Sequence, residues 1–221
     1  MLFRSSAVSA VQSGIRAYDK RHGYRGAELK NIDPTTWQET LRKTLIIGLL
    51  QPAIITSVHD DRLILLKKNG ESAILNWADG LDSLRLFKTV NARSPLIDSA
   101  ASIFETGDLI RIEEHENGRV TLAQIPLIQS AMVALDPFNG AIRALVGGFD
   151  YRQSTFNRVT QATRQPGSNF KPFIYTTALK NGFTTASIIN DAPVVFEDAK
   201  LEDTWRPEND GGKFYGPTRL R

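Results

Sequence analysis

Val8, Val11, Ile15 and Tyr18 recur at spacings of three and four, the apolar stripe of an amphipathic helix over about residues 5–20. Gly23 and Gly26 end that pattern, and the polar stretch 27–44, with the turn-starting pair Asp33-Pro34, reads as a linker. From Gln51 the period changes to strand-like alternation: Ala53, Ile55 and Ser57 against Ile54, Thr56 and Val58. Asp60-Asp61 turns the chain into Leu63–Leu66, Asn69-Gly70 supplies a tight turn with both central residues at positive φ, and Ser72–Trp77 returns. A longer excursion carries a short helical candidate at about residues 98–105. Leu109–Glu113 and Val120–Ala123 then alternate on either side of Asn117-Gly118.

Three strands, a helix and two strands is the element order of a five-stranded OB-like β-barrel. After Pro126 a second unit starts with a hairpin, Ala131–Leu135 and Ala141–Val146 around the turn Asp136–Gly140. Pro166-Gly167 breaks the chain before Ser168, and Phe170, Phe173, Ile174, Thr177 and Ala178 keep helical spacing to about residue 181. Beyond Gly182 the pattern is loop-like. The expected class is α+β: linker and helix over 1–44, OB-like domain over 45–126, and an incomplete second domain over 127–221.

At 221 residues, 41% hydrophobic and 23% charged, the chain can bury a core, which excludes wholesale disorder and a multi-span membrane protein. The most apolar stretch, Leu45–Val58, is broken by Gln51-Pro52 and is too short to span a bilayer. A formal charge of +3 does not imply a nucleic-acid partner, and residues 51–126 offer only Trp77, Phe87 and Phe104 for base stacking. With no cysteine, thiolate metal sites are excluded. His22, His59 and His115 show no ligand spacing, so no metal site is expected. Glu113-Glu114-His115-Glu116 reads as a solvated charged tip, and Trp37, Trp77 and Trp205 as core or interface anchors.

One motif carries chemistry. Ser168-Asn169-Phe170-Lys171 is a Ser-x-x-Lys sequence at a helix start, and residues three apart share a helical face. A serine hydroxyl becomes a useful nucleophile only when a base removes its proton, and a lysine does so only when neutral. The positive end of the helix dipole and the apolar neighbours Phe170 and Pro172-Phe173 both disfavour an ammonium ion at Lys171. Alone the motif is weak, because the serines and lysines of this chain produce about 0.6 such pairs by chance. Its bland alternative is a helix-capping serine beside a solvated lysine.

The surrounding strings are far more specific: Ala134-Leu135-Asp136-Pro137, Asn139-Gly140-Ala141, Ala144–Gly148, Phe156-Asn157-Arg158 and Arg164–Phe173. Together they resemble class A penicillin-binding proteins at the start of their transpeptidase domain, a fold shared with serine β-lactamases. His22-Gly23-Tyr24-Arg25-Gly26 followed by the OB-like segment resembles the proteobacterial 1A type of that family. The resemblance implies that Ser168 is the acyl-ester nucleophile, acylated by peptidoglycan stem peptides or β-lactams, with Lys171 as general base. It also implies an upstream glycosyltransferase, a location on the periplasmic side of the bacterial inner membrane, and an outer-membrane lipoprotein activator docking on the OB-like domain. The family's Ser-x-Asn and Lys-Thr-Gly motifs do not occur in this chain. They supply the proton path and half of the oxyanion hole, so the chain is expected to be an internal piece that is inactive alone. A non-catalytic docking module and, less favoured, a β-lactam hydrolase or sensor are the alternative readings.

Overall fold

The computed structural model describes residues 2–195 and 206–220, and the chain divides into two compact units, Met1–Ala162 and Thr163–Arg221. In the first unit, α1 (Leu2–His22) buries Ala7, Val11 and Ile15 along one stripe, while Tyr18 lies outside it and stacks on His22 at 4.3 Å. Lys20, Arg21 and His22 occupy the last turn, where positive charge complements the helix dipole. Gly23, at φ +100°, ends the helix in a place where a Cβ would lie 2.7 Å from the Phe87 amide nitrogen. Only glycine permits both the dihedral and the approach.

The stretch 27–44, expected as a linker, is folded onto the sheet. Glu28 N–H donates to the Leu109 carbonyl at 2.8 Å, and Leu109 N–H donates to the Leu29 carbonyl at 2.8 Å. Asp33 caps a short 3₁₀ turn, Pro34–Thr36, by accepting from the Thr35 amide. α2 (Trp37–Lys43) then buries Leu41 completely against Ile54 and Leu109, with Trp37 and Ile32 packed beside them. Its apolar residues are too few to show a period, yet each anchors the segment.

The central sheet has β1 (Leu50–Val58), β2 (Arg62–Lys67) and β3 (Ser72–Asn76), then a separate hairpin of β4 (Arg85–Thr89) and β5 (Ala92–Leu96), then β6 (Leu109–Glu114) and β7 (Val120–Ala123). The order is β3-β2-β1-β6-β7, antiparallel throughout. A bulge at Ile55–Ser57 helps bend β1, and β3 and β7 approach within 8 Å between Cα atoms without forming a ladder. The result is a curled, OB-like half-barrel. Ala53, Ile55, Leu63, Leu65, Leu75, Ile110, Ile112 and Val120 fill it from the strands. Phe104, 2% exposed, packs into that core from the excursion, a burial worth about 2–3 kcal/mol. The expected helix at 98–105 is a single 3₁₀ turn, Ala100–Ser102, and the β4–β5 hairpin has no counterpart in the sequence reading. Trp77 packs against the same core, whereas Trp205 lies outside the described residues.

β8 (Met132–Leu135) and β9 (Ile142–Val146) form the expected second hairpin in a sheet of their own. Ala144, Val146 and Phe149 share a core with Ala7, Val11 and Ile15 of α1 and with Ile47 and Leu50, so the helix is packed against both. All three Asn-Gly pairs are hairpin turns, but their geometry differs from the expected one. Gly70, Gly118 and Gly140 have positive φ while Asn69, Asn117 and Asn139 do not. Each asparagine Oδ1 instead accepts from the backbone N–H two residues on, at Glu71, Arg119 and Ala141. In the first two, a type I turn followed by glycine in the left-handed region closes a three-residue loop.

In the second unit, α3 (Lys171–Lys180) is followed by β10 (Ile188–Asp191) paired antiparallel with β11 (Gly216–Arg219). This strand pair falls in the segment expected as loop. Asp191 organises it by accepting from Asn209 Nδ2 and from the Tyr215 amide.

Candidate active site

Ser168 sits in a 3₁₀ turn, Gly167–Phe170, that runs directly into α3. Gly167 has φ +53°, and the Asn169 amide donates to the Pro166 carbonyl at 3.1 Å, so the Pro166-Gly167 pair sets the entry. The Lys171 amide donates to the Ser168 carbonyl, closing a three-residue turn between the two residues. In 3₁₀ geometry side chains at i and i+3 eclipse, so Ser168 and Lys171 project from one face. Pro172 lies in the first turn of α3, where its missing N–H costs no helical bond. The serine does not cap the helix: no side chain caps either the 3₁₀ turn or α3.

Both side chains are exposed, and among the described residues neither the Ser168 hydroxyl nor the Lys171 amine has a hydrogen-bond partner. The burial expected around Lys171 is therefore not found. Phe170 and Phe173 flank it with ring centroids 5.8 Å apart, but they, with Ile174, Tyr175 and Leu179, are themselves exposed. Among the described residues no layer covers α3. Its position in the first turn still sets Lys171 against the positive end of the helix dipole.

The strings upstream of the serine have structural work in the first unit. Arg143 pairs with Asp136 across the β8–β9 turn and, with the Phe138 amide, holds that carboxyl below the usual carboxylate range. Asn157 accepts from the Val159 amide at 3.0 Å and the Arg158 amide donates to the Gly147 carbonyl at 3.0 Å. A Cβ on Gly147 would lie 2.3 Å from Asn157 Oδ1, so the Asn157 side chain occupies the space that glycine leaves open.

A cluster the sequence did not reveal lies at the end of α1. Asp19, 4% exposed, accepts both guanidinium nitrogens of Arg25, the side-chain amide of Gln124 at 2.7 Å and the Leu127 amide. Its one visible signal was that Asp19 extends the Ala7, Val11, Ile15 stripe by four residues. Glu113 pairs with Arg16 and Glu114 with Lys67, so the expected solvated tip is in part an ion-pair network. Each histidine keeps a separate neighbour: His22 the Tyr18 carbonyl, His59 Ser57 and His115 Thr121.

Comparison with known proteins adds an independent line. Residues 24–128 match the penicillin-binding protein OB-like domain, and residues 130–216 match the penicillin-binding protein transpeptidase domain. Penicillin-binding protein 1A of Pseudomonas aeruginosa is 44% identical over 99% of the chain, and that of Escherichia coli is 37% identical over 99%. The chain spans 27% and 26% of those two proteins, about a quarter of each. The crystal structure of penicillin-binding protein 1A from Haemophilus influenzae superimposes with a TM-score of 0.68 at 33% identity, covering 99% of the chain and 31% of that structure.

Proposed function

The chain belongs to the penicillin-binding proteins, carrying an OB-like domain and the opening of a transpeptidase domain, and from that premise we propose that it serves peptidoglycan cross-linking through an acyl-serine intermediate. Ser168 Oγ attacks the penultimate carbonyl of a stem peptide, the terminal D-alanine leaves, and an amine of a neighbouring strand resolves the ester. A β-lactam enters the same first step and stays bound. Lys171, in its neutral form, takes the serine proton. The observation that carries this reading is the 3₁₀ turn joining Ser168 to Lys171 within the stretch matched by the transpeptidase domain.

The exposed faces of α3 fit a site that other parts of a larger domain complete. Ser-x-Asn and Lys-Thr-Gly motifs, absent from these 221 residues, supply the remaining groups, so the chain by itself does not acylate. In the whole protein a glycosyltransferase supplies the polymer, and the enzyme works without a cofactor on the periplasmic side of the inner membrane. Among the described residues no helix is long and apolar enough to cross a membrane. Stem peptides and β-lactams are the ligands, and the OB-like domain is the surface for an outer-membrane lipoprotein activator.

Fluorescent penicillin tests the reading on the full-length protein. Wild type takes one label, Ser168→Ala takes none, and Lys171→Arg takes none because a guanidinium cannot be deprotonated there. Undiminished labelling of Lys171→Arg overturns the role given to the lysine.

A further inference from the structure

A cleft of about 350 Å³ lies in the first unit between the C-terminal half of α1, the β4–β5 hairpin and β7. Tyr24 and Leu84, both buried, and Leu122 give it apolar surface. Two acids line it, and both are already engaged: Asp19 by Arg25 and Glu113 by Arg16. The cations are not balanced in the same way. Lys20 and Arg93 are exposed and have no acidic partner among the described residues. Arg85 uses Nη1 on the Ser94 carbonyl at 3.1 Å and has no carboxylate partner among the described residues.

We propose that this cleft binds a short peptide bearing carboxylates. Four cations, Arg16, Lys20, Arg85 and Arg93, line the cleft against two carboxylates, Asp19 and Glu113, so its lining is positive. Apolar walls under such a rim focus its field toward an incoming anion. Guanidinium groups take carboxylates in a planar, two-bond geometry, while the half-buried Leu122 offers contact to the aliphatic part of a side chain. The volume falls at the low end of small-ligand sites, about 300–1,000 Å³, which suits a few residues of peptide. A phosphate ligand is less well served, because the helix that walls the cleft presents its C-terminal half and no N-terminal N–H groups. A nucleic-acid strand lacks a stacking platform, since the one aromatic lining residue, Tyr24, is itself buried.

The experiment is fluorescence anisotropy of the 221-residue chain with a dye-labelled tetrapeptide of three glutamates and one leucine. Saturable binding that weakens with added salt is expected, with none for the lysine counterpart of the peptide. Lys20→Glu combined with Arg93→Glu is expected to weaken binding about tenfold or more, with a small fall in melting temperature because a negative charge at position 20 opposes the dipole of α1, and Arg93→Gln alone is expected to weaken it about threefold with the melting temperature unchanged. Competition by a soluble muropeptide points to a peptidoglycan stem as the source of the carboxylates, and lack of competition excludes that source in favour of an acidic protein segment. Either result supports the site. Absence of saturable binding by the glutamate peptide, or equal binding by the folded double variant, overturns it.

Discussion

Arg25 holds Asp19 through two parallel hydrogen bonds, Nη1 to Oδ1 at 2.9 Å and Nη2 to Oδ2 at 3.0 Å. The same guanidinium donates to the Ile125 carbonyl, and Gln124 and Leu127 complete the carboxylate. Helix α1 and the two ends of the segment matched by the OB-like domain, Arg25 near its start and Gln124 and Leu127 near its end, thus meet on one buried charge. Removing one partner of such a pair leaves the other without a counter-charge. Asp19→Ala is expected to destabilise the first unit by about 3–5 kcal/mol, measured by chemical denaturation, and Asp19→Asn by less, because it keeps acceptors for part of the network. A loss below about 1 kcal/mol for Asp19→Ala contradicts the cluster's structural role.

Asp79 gives a prediction in pH. Burial pushes its carboxyl up, but the Arg119 guanidinium and the Asn76 backbone and side-chain amides outweigh that and hold it below the ordinary 3.8. A depressed native value means that the carboxylate stabilises the fold above the unfolded value and ceases to do so as pH falls through the native one. Wild type should therefore lose its advantage over Asp79→Asn as pH drops below about 4. Denaturation midpoints across that range read the difference, and parallel curves for the two proteins contradict it.

Two glycines make opposite predictions. A Cβ on Gly147 meets Asn157 Oδ1 at 2.3 Å, whereas one on Gly14, within α1, meets nothing within 4 Å. Gly147→Ala should cost about 1–3 kcal/mol, and Gly14→Ala should gain about 1 kcal/mol from helix propensity. Thermal melts of the two variants should move in opposite directions. Asn157→Ala in the Gly147→Ala background should not cost its full separate penalty, since the clash is shared.

Much of the architecture was legible because period and turn chemistry agree over short distances. The alternation in Ala53–Val58 and the three Asn-Gly pairs located β1 and three hairpins, the last in a separate sheet. The turns were misassigned in detail, since an asparagine side chain can accept a backbone bond without the residue itself taking positive φ. What escaped depends on distant partners. β4 and β5 pair through a ladder with two irregularities and carry Pro95, so no alternation marks them. Residues 27–44 look like a linker until Leu41 finds Ile54 and Leu109. For the site, the spacing of Ser168 and Lys171 was readable from local rules, and the structure supplies the 3₁₀ turn that joins them. The exposure of Lys171 was not readable, because neighbours in sequence, Phe170 and Phe173, say nothing about what lies over the helix.

The account rests on acylation at Ser168, and the most direct measurement is the site of the adduct. Full-length protein reacted with a β-lactam and digested with trypsin should yield one modified peptide running from Gln165 to Lys180, because the Lys171-Pro172 bond resists cleavage. Tandem mass spectrometry should place the adduct on Ser168, and Ser168→Ala should remove it while the protein keeps its melting temperature. An adduct on another serine, such as Ser154 or Ser187, or a labelled Ser168→Ala protein, contradicts the assignment.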